Sequence, residues 1–263
     1  MKSNQKQAIY VRLNTLKAEY KEIEDLGLES TVVPNVYKIK NVSNRTNNLI
    51  LKKHVDVVKI QNLSSCLPAF ILNPKENSTV IDATASPGNK TTHLCAIMNN
   101  TGKIIAVERN LNRYKTLKSM IKEFGAKNVE TIHKDFLKIE PSSIKADYIL
   151  LDPSCSGSGI HDDYKKNKKR IESLKNLQSM LLNHALKFNC KKVVYSTCSI
   201  HPEEGEMVIQ EALSKFENYE LEKIDSFWKQ RGNKKFTFSD YVIRSDKNND
   251  TIGFFVALLK RKD

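Results

Sequence analysis

The stretch "STVIDATASPGNKTTHLCAIMNN", residues 78–100, decides the fold of this chain. It opens with an apolar run that ends at Asp82, and Pro87 and Gly88 then make a turn. Apolar and small residues between positions 92 and 98 follow at the spacing of a short helix. A buried strand that turns directly into a helix is the first unit of an alternating α/β fold.

The same alternation continues along the chain. Helical spacing recurs at 109–125, around 170–188 and at 202–216, and "GFFVALL" (253–259) is at most a strand. Four further apolar runs are predicted strands: "KIIAVE" (103–108), "VETIH" (129–133), "ADYILLD" (146–152) and "KKVVYST" (191–197). The pattern predicts the α/β class, with a doubly wound and mostly parallel sheet, over residues 66–263.

Residues 1–65 have a different pattern, which predicts a small N-terminal α/β subdomain. The segment reads strand, helix, strand, and Asn-rich and Lys-rich stretches follow it. Polar loops are predicted at 41–48 and 245–251.

Polar residues mark the ends of the predicted strands. They are Asp82, Glu108, Asp135, Asp152 and Cys198. Because the carboxyl ends of parallel strands meet at one rim of the sheet, where ligands bind, these side chains are expected to surround a ligand site. A single acid at such a place is most simply a helix cap, but four on one rim favour a ligand site.

The turn and Glu108 indicate the kind of ligand. Pro87 and Gly88 before a helix let backbone approach a ligand closely, and Glu108, 20 positions after Gly88, can accept hydrogen bonds from both ribose hydroxyls. Neither G-x-G-x-x-G nor a P-loop is present. These residues favour S-adenosyl-L-methionine, a nucleoside without a pyrophosphate, and they leave NAD open.

Two cysteines follow predicted strands in similar settings, Cys155 in "DYILLDPSCSGSGI" (147–160) and Cys198 in "KKVVYSTCSI" (191–200). A thiol is needed when the methyl acceptor is an unactivated ring carbon, such as carbon 5 of a pyrimidine. A thiolate that adds to carbon 6 makes carbon 5 nucleophilic, and a nearby acid such as Asp152 can bind the polar edge of the ring.

The other three cysteines have a simpler interpretation. Cys66, Cys95 and Cys190 lie in apolar contexts and are predicted to be small core residues. Cys198 alone would be interpreted in the same way. Its pairing with Cys155 and Asp152 on one rim favours a nucleophile.

The chain resembles the RsmB/Nop/Sun family of RNA 5-methylcytosine methyltransferases. The form "DPSCSGSG" is similar to the eukaryotic large-subunit rRNA branch, and the N-terminal segment resembles the RRM-like subdomain of the family. The segments that carry the resemblance are "YVRLNTLK", "SSCLPAFIL", "DATASPGNKTTHL", "DPSCSGSG", "YSTCSIHPEEGE" and "GFFVALLKR".

The resemblance implies roles for the two cysteines and their neighbours. Cys198 would attack carbon 6 of the cytosine, and Cys155 would assist breakdown of the covalent adduct. Asp152 would hold the polar edge of the base, and Lys90 would order Asp152.

The resemblance also implies which residues contact S-adenosyl-L-methionine. Glu108 and Arg113 would face the ribose, Asp135 the adenine, and Asp152 would border the donor as well as the base. The methionine and ribose would be wrapped by Thr84, Ala85, Ser86, Pro87, Gly88, Asn89 and Lys90.

Charge and composition bound the partners and the location. Lys and Arg number 43 against 30 Asp and Glu, a net charge of +13, which suits a polyanion such as RNA or a solvated surface. The basic run "YKKNKKR" (164–170) favours RNA contact over a solvated helix lead-in, and His201 is interpreted as a helix-entry residue. No signal peptide, membrane span or zinc-ligand spacing is found, so we expect an intracellular protein without a metal. Its location is expected to be the nucleus or nucleolus if it belongs to the eukaryotic rRNA branch, and otherwise the cytoplasm.

These features fit three functions to different degrees. The first is an RNA cytosine-C5 methyltransferase that acts on rRNA, on an unpaired or flipped base. The second is an RNA-binding ribosome assembly factor that keeps the fold without turnover, and the intact Cys155, Cys198, Asp152 and Lys90 argue against it. A DNA cytosine methyltransferase is disfavoured, because such enzymes lack the thiol of "STCS". The sequence is silent on oligomeric state.

Overall fold

A computed structural model describes residues 8–40, 54–161, 166–247 and 250–263. The predicted loop at 41–48 and the first two residues of the basic run at 164–170 lie outside these ranges. Within the described ranges, no helix combines the length and apolar character that a membrane crossing requires.

The N-terminal segment forms a four-stranded antiparallel sheet in the order β2-β3-β1-β4. Its strands are β1 (Tyr10–Leu13), β2 (Leu28–Ser30), β3 (Val36–Ile39) and β4 (Val58–Ile60). The prediction of a helix between the first two strands is wrong. Two 3₁₀ turns, Tyr20–Glu22 and Glu24–Leu26, stand there because the segment buries only Ala18 and Ile23, too little apolar surface for a longer helix.

The remaining strands form a larger sheet in the order β10-β12-β9-β8-β5-β6-β7, with β11 paired to β12. The strands are β5 (Thr79–Asp82), β6 (Lys103–Glu108), β7 (Val129–His133), β8 (Tyr148–Leu151), β9 (Lys192–Thr197), β10 (Tyr219–Leu221), β11 (Ile243–Ser245) and β12 (Phe254–Arg261). Strands β5 to β9 are parallel to one another, and β12 runs antiparallel to β9. The predicted strands and the α/β class are confirmed.

Helices cover both faces of this sheet. They are α1 (Leu63–Leu72), α2 (Asn89–Ile97), α3 (Leu111–Glu123), α4 (Lys168–Leu186) and α5 (Glu206–Lys215). Leu182 and Val208 of α4 and α5 pack in one core cluster, and Leu67 and Leu94 of α1 and α2 pack in the other. Leu111 belongs to the helical spacing at 109–125, but it is 50% exposed because it occupies the first position of α3.

The order of the parallel strands creates a switch point. Strand β5 is followed in the chain by β6 on one side of it and has β8 on the other. In open α/β sheets the crevice at the carboxyl ends of the strands beside such a reversal is where ligands bind.

Candidate active site

The five polar residues predicted at strand ends lie at one rim of the sheet. Asp82 and Glu108 are the last residues of β5 and β6, and Asp152 and Cys198 directly follow β8 and β9. Asp135 comes two residues after β7. The rim therefore brings together acids and a thiol from five parallel strands.

Cys155 and Cys198 meet above this rim. Their sulfur atoms are 2.8 Å apart, both cysteines are free, and both are partly exposed. The other three cysteines, Cys66, Cys95 and Cys190, are buried in the core as expected. The two sulfur atoms are within hydrogen-bonding distance of each other, and either can be the donor.

The shared hydrogen bond divides the two thiols into a donor and an acceptor. Donation from Cys155 lowers the pKa of Cys198, and Lys90 adds to this effect, whereas burial and Asp152 oppose it. The same hydrogen bond, together with burial, raises the pKa of Cys155 well above its usual value. The arrangement therefore favours a thiolate at Cys198 and a protonated thiol at Cys155.

Asp152 is fixed beside the thiols through both of its carboxylate oxygens. The Ser196 hydroxyl donates to Oδ1 at 2.7 Å, and Lys90 Nζ lies 2.5 Å from Oδ2. Lys90 also donates to Ser65 Oγ at 3.3 Å. Burial alone lowers the pKa of Lys90, but the charges of Asp152, Cys198 and Asp82 outweigh it and raise that pKa.

Asp82 differs from the other rim acids, because it is fully buried. Its Oδ2 accepts a 2.7 Å hydrogen bond from the Thr91 hydroxyl. Burial raises the pKa of Asp82 to about 7, while Thr91 and Lys90 oppose the shift. Burial therefore favours the neutral form of the Asp82 side chain.

A cavity of about 460 Å³ lies next to the thiols, at the carboxyl ends of β5, β6 and β8. Residues from all three strand ends line it, and Val107, Phe136 and Leu181 give it apolar walls. The residues predicted for the donor that line it are Thr84, Ser86, Pro87, Glu108, Arg113, Asp135 and Asp152, and both cysteines border it too. Its size is within the range of small-molecule and cofactor pockets.

The remaining residues of the predicted turn lie elsewhere. Ala85, Asn89 and Lys90 line a neighbouring cavity of about 40 Å³, which Thr84 and Asp152 share. Gly88 lines neither: with φ at 110°, a β-carbon on it would meet Leu117 Cδ1 at 3.2 Å. The glycine therefore allows α2 to pack against α3.

Hydrogen bonds fix the part of the cavity wall around Glu108. The backbone N–H of Asn110 donates to Glu108 Oε1 at 2.8 Å, and Arg113 Nε lies 3.8 Å from Oε2. Arg113 and Ser86 are joined twice, because Arg113 Nη2 donates to the Ser86 carbonyl at 2.7 Å and Ser86 Oγ donates to the Arg113 carbonyl at 2.6 Å. Asp135 caps a 3₁₀ turn by accepting from the Leu137 N–H at 3.1 Å, so the cap interpretation also applies to it.

Two contributions to the site were missed in the sequence. Ser196 was read only as part of a strand, although its place two residues before Cys198 puts it on the same rim. The helical spacing at 202–216 places Glu204 in the first turn of a helix, and this prediction is wrong. Pro202–Glu204 is a separate 3₁₀ turn, α5 begins after Gly205, and Glu204 is buried beneath the thiols.

The structure also bears on His201, the basic run and potential metal ligands. His201 precedes the 3₁₀ turn at Pro202, the entry position expected for it. Lys168 to Arg170 begin α4 and are exposed, so RNA contact by the basic run stays a prediction. No group of three or more potential metal ligands occurs among the described residues.

Comparison with known proteins identifies the family of this site. The model of a family described as 16S rRNA methyltransferase RsmB/F matches residues 69–260, well over half of the chain. This chain belongs to the RsmB/F methyltransferase family. The resemblance recognised in the sequence is thereby confirmed.

Individual relatives agree with the RsmB/F assignment. The chain is 41% identical to the 26S rRNA (cytosine-C(5))-methyltransferase nsun-5 of Caenorhabditis elegans over 217 residues, 77% of this chain and 49% of the relative. It is 36% identical to the 25S rRNA (cytosine-C(5))-methyltransferase rcm1 of Schizosaccharomyces pombe in an alignment 290 positions long, gaps included, that covers 95% of this chain and 62% of the relative. The chain therefore spans about half to two thirds of the length of these relatives.

A solved structure shares the fold of this RsmB/F-family chain. The methyltransferase homologue from Pyrococcus horikoshii superposes with a TM-score of 0.83 at 29% identity, over 97% of this chain and 87% of that one.

Proposed function

We propose that this RsmB/F-family chain is an S-adenosyl-L-methionine-dependent RNA cytosine-C5 methyltransferase that acts on large-subunit rRNA. The observation that carries the proposal is the pair of thiols, 2.8 Å apart, at the mouth of a cavity of about 460 Å³ beside Asp152. Relatives in a worm and a yeast are named as large-subunit rRNA (cytosine-C(5))-methyltransferases, which supports the same reaction and substrate class.

The cavity fits S-adenosyl-L-methionine in its size and in its polar groups. The carboxylate of Glu108 suits the ribose hydroxyls, Asp135 suits the exocyclic amine of the adenine, and Val107 and Phe136 offer apolar faces to its ring. The turn at 84–90 and Arg113 complete the donor side. When bound, the donor supplies an electrophilic methyl group on a sulfonium.

The residues of the chain prepare the cytosine. The Cys198 thiolate forms a bond to carbon 6, and the electron pair that moves into the ring makes carbon 5 nucleophilic. Asp152, held by Lys90 and Ser196, hydrogen-bonds the polar edge of the ring as charge develops there. Once carbon 5 carries the methyl group that the donor supplies, a water molecule can take the carbon-5 proton. The electron pair of that C–H bond re-forms the double bond between carbons 5 and 6, the bond from carbon 6 to sulfur breaks, and Cys198 leaves as a thiolate, while Cys155 assists release of the product.

The N-terminal residues 1–65 are proposed as an RRM-like RNA-binding subdomain, attached to a methyltransferase domain at 66–263. A four-stranded sheet in the order β2-β3-β1-β4 supports this. Arg12 of β1 donates to Thr92 Oγ1 at 2.8 Å and to the Asn89 carbonyl at 3.3 Å, so the small sheet is held against the first turn of α2. RNA bound there would lie close to the donor turn. Membership of the eukaryotic large-subunit rRNA branch would place the protein in the nucleolus.

Bisulfite sequencing of total RNA from cells with and without the gene tests this function. We expect one or a few cytosines of the large-subunit rRNA to lose their methylation when the gene is absent. Restoring the chain should restore the signal, and restoring Cys198→Ala should not. An unchanged methylation map would contradict the proposal, and a lost signal in another RNA would correct the substrate.

A further inference from the structure

Glu204 is a fully buried carboxylate that does not line the donor cavity. Its Oε1 accepts hydrogen bonds from the Ser156 backbone N–H at 2.9 Å and from Gln178 Nε2 at 3.0 Å. Its Oε2 accepts from the Ser199 hydroxyl at 2.6 Å. Three donors from three separate segments thus converge on one side chain.

The donors are the neighbours of the two thiols. Ser156 directly follows Cys155 and Ser199 directly follows Cys198. Gln178 of α4 also donates to the carbonyl of Ser154, which precedes Cys155, at 3.0 Å. Glu204 therefore ties both thiol-bearing loops to each other and to α4.

Other hydrogen bonds join the same two loops nearby. The hydroxyls of Ser158 and Ser199 are 3.2 Å apart, and the Gly159 N–H donates to the Cys198 carbonyl at 3.1 Å. The backbone carbonyl of Glu204 accepts from the Tyr195 hydroxyl at 2.9 Å, which anchors its own turn to β9. Ser199 links these contacts to the carboxylate, because its hydroxyl also donates to Glu204 Oε2.

We propose that Glu204 is the positioning residue that sets the distance between the two sulfur atoms, by holding both thiol-bearing loops against α4. This rests on the proposed function, since a thiolate at Cys198 matters only if Cys198 is the nucleophile. Glu204 touches neither thiol, and it acts through the backbone and hydroxyl of the residues that follow them.

Two physical effects support the assignment. A hydrogen bond between thiols weakens steeply as the distance grows, and loops that carry functional groups need a rigid support to hold such a distance. The charge on Glu204 also joins the hydrogen bond to Cys198 and burial in raising the pKa of Cys155. Both effects favour a proton on Cys155 and a thiolate on Cys198.

The position requires a carboxylate. A carboxylate only accepts, and here it meets three donors, whereas a glutamine amide offers one acceptor oxygen and brings two N–H donors of its own. Glu204→Gln would leave at least one of the three donors without an acceptor. The variant keeps the size of the side chain but breaks the set of three hydrogen bonds that joins the two loops to α4.

Site-resolved alkylation measures the division of the proton directly. The full chain is treated with iodoacetamide across a range of pH, and mass spectrometry follows the modification rate at each cysteine, without RNA or methyl donor. In the native protein Cys198 should react faster than Cys155 near neutral pH. In Glu204→Gln the ratio of the two rates should fall on the order of tenfold, which corresponds to about one pH unit in the pKa difference.

Matched variants separate positioning from general damage. Glu211 accepts from Ser179 of α4 at 2.9 Å but contacts neither thiol loop, so Glu211→Gln should keep the native ratio. Buried Cys66, Cys95 and Cys190 should stay unmodified, and their reaction would report unfolding. If Glu204→Gln unfolds, Ser199→Ala, which removes a single donor, should lower the ratio in the same direction.

The results distinguish the inference from the function it rests on. A folded Glu204→Gln, or failing that Ser199→Ala, with the native alkylation ratio and pH midpoint would overturn the positioning role, whatever the native chain methylates. A lowered ratio supports positioning even if methyl transfer were never found, in which case only the proposed function would be lost.

Discussion

The sulfur atoms of Cys155 and Cys198 lie 2.8 Å apart although the two residues belong to loops that follow different strands of the sheet. Strands β8 and β9 are parallel neighbours, so the segments that leave their carboxyl ends start side by side. The sheet brings the loops together, and the hydrogen bonds beneath them set the final approach. One proton between two sulfurs then gives the site a thiolate and an acid at once.

Removal of each thiol should have opposite effects on the covalent complex with RNA. We expect Cys198→Ala to abolish both methylation and any RNA adduct, because no nucleophile remains for carbon 6. We expect Cys155→Ala to accumulate a denaturant-resistant adduct, because release of the product is impaired. Denaturing gel electrophoresis of protein incubated with labelled RNA and donor measures both outcomes.

Cys190→Ser is the matched control, because Cys190 is buried and lies two residues before β9, at the opposite end of that strand from Cys198. It should neither block methylation nor trap RNA. An adduct in Cys198→Ala and none in Cys155→Ala would exchange the roles assigned to the two thiols.

Glu108→Ala should weaken binding of the methyl donor without affecting the thiols. The loss of hydrogen bonds from a charged acceptor to two ribose hydroxyls corresponds to roughly 1.5–3 kcal/mol, or about tenfold to a hundredfold in Kd. Isothermal titration calorimetry with S-adenosyl-L-homocysteine measures this. Glu130→Ala on the exposed side of β7, whose side chain pairs with Lys103, is the control and should bind normally, and equal affinity in Glu108→Ala would remove the ribose role.

The fold was predictable because it depends on local signals. The apolar run before Asp82 and the turn at Pro87 and Gly88 are short patterns. The interior of strands such as "KIIAVE" (residues 104–107) is wholly apolar because both faces of the sheet are covered. Helix α1 was not predicted, since Pro68 interrupts its pattern. It forms because Leu67 and Ala69 pack into the core, which is a tertiary effect.

The site was predictable only in part, because local patterns can be found in the sequence and contacts between distant residues cannot. Residues at strand ends, such as Asp152 and Cys198, can be found from the alternation alone. Glu204 cannot, because its partners Ser156 and Gln178 are 48 and 26 residues away in the chain. Acids after a proline usually serve as a helix start, and only the three-dimensional contacts show that this one turns inward.

Asp82 should make the stability of the protein depend on pH. Burial raises its pKa from 3.8 to about 7, so the folded state holds a proton that the unfolded state has lost between these values. Its contribution to the free energy of unfolding is fully present below about pH 4 and is lost as the pH rises to 7. Asp82→Asn should therefore be more stable than the native protein at pH 8, by at most about 4 kcal/mol, and nearly equal to it at pH 4.

Urea denaturation at the two pH values measures the effect, and Asp147 provides a control of opposite sign. Burial raises the pKa of Asp147, but the Thr79 N–H and Lys191 outweigh it and lower that pKa. Asp147→Asn should therefore lose stability at pH 8 and not at low pH. A native-like pH dependence in Asp82→Asn would mean that Asp82 does not retain its proton in the fold.

Arg244 should be important for stability because it neutralises a buried charge. Glu206 at the start of α5 is fully buried and pairs with Arg244, whose Nε donates to Oε1 at 2.8 Å. Arg244→Met would leave the carboxylate buried without its partner, which typically costs about 3–5 kcal/mol.

The exposed pair of Lys234 and Asp240 is the control, since Lys234→Met should change the free energy of unfolding by less than about 1 kcal/mol. Thermal and urea unfolding of both variants measures the difference, and a small loss in Arg244→Met that matches the control would show that Glu206 is stabilised by the Asn233 N–H and its surroundings instead.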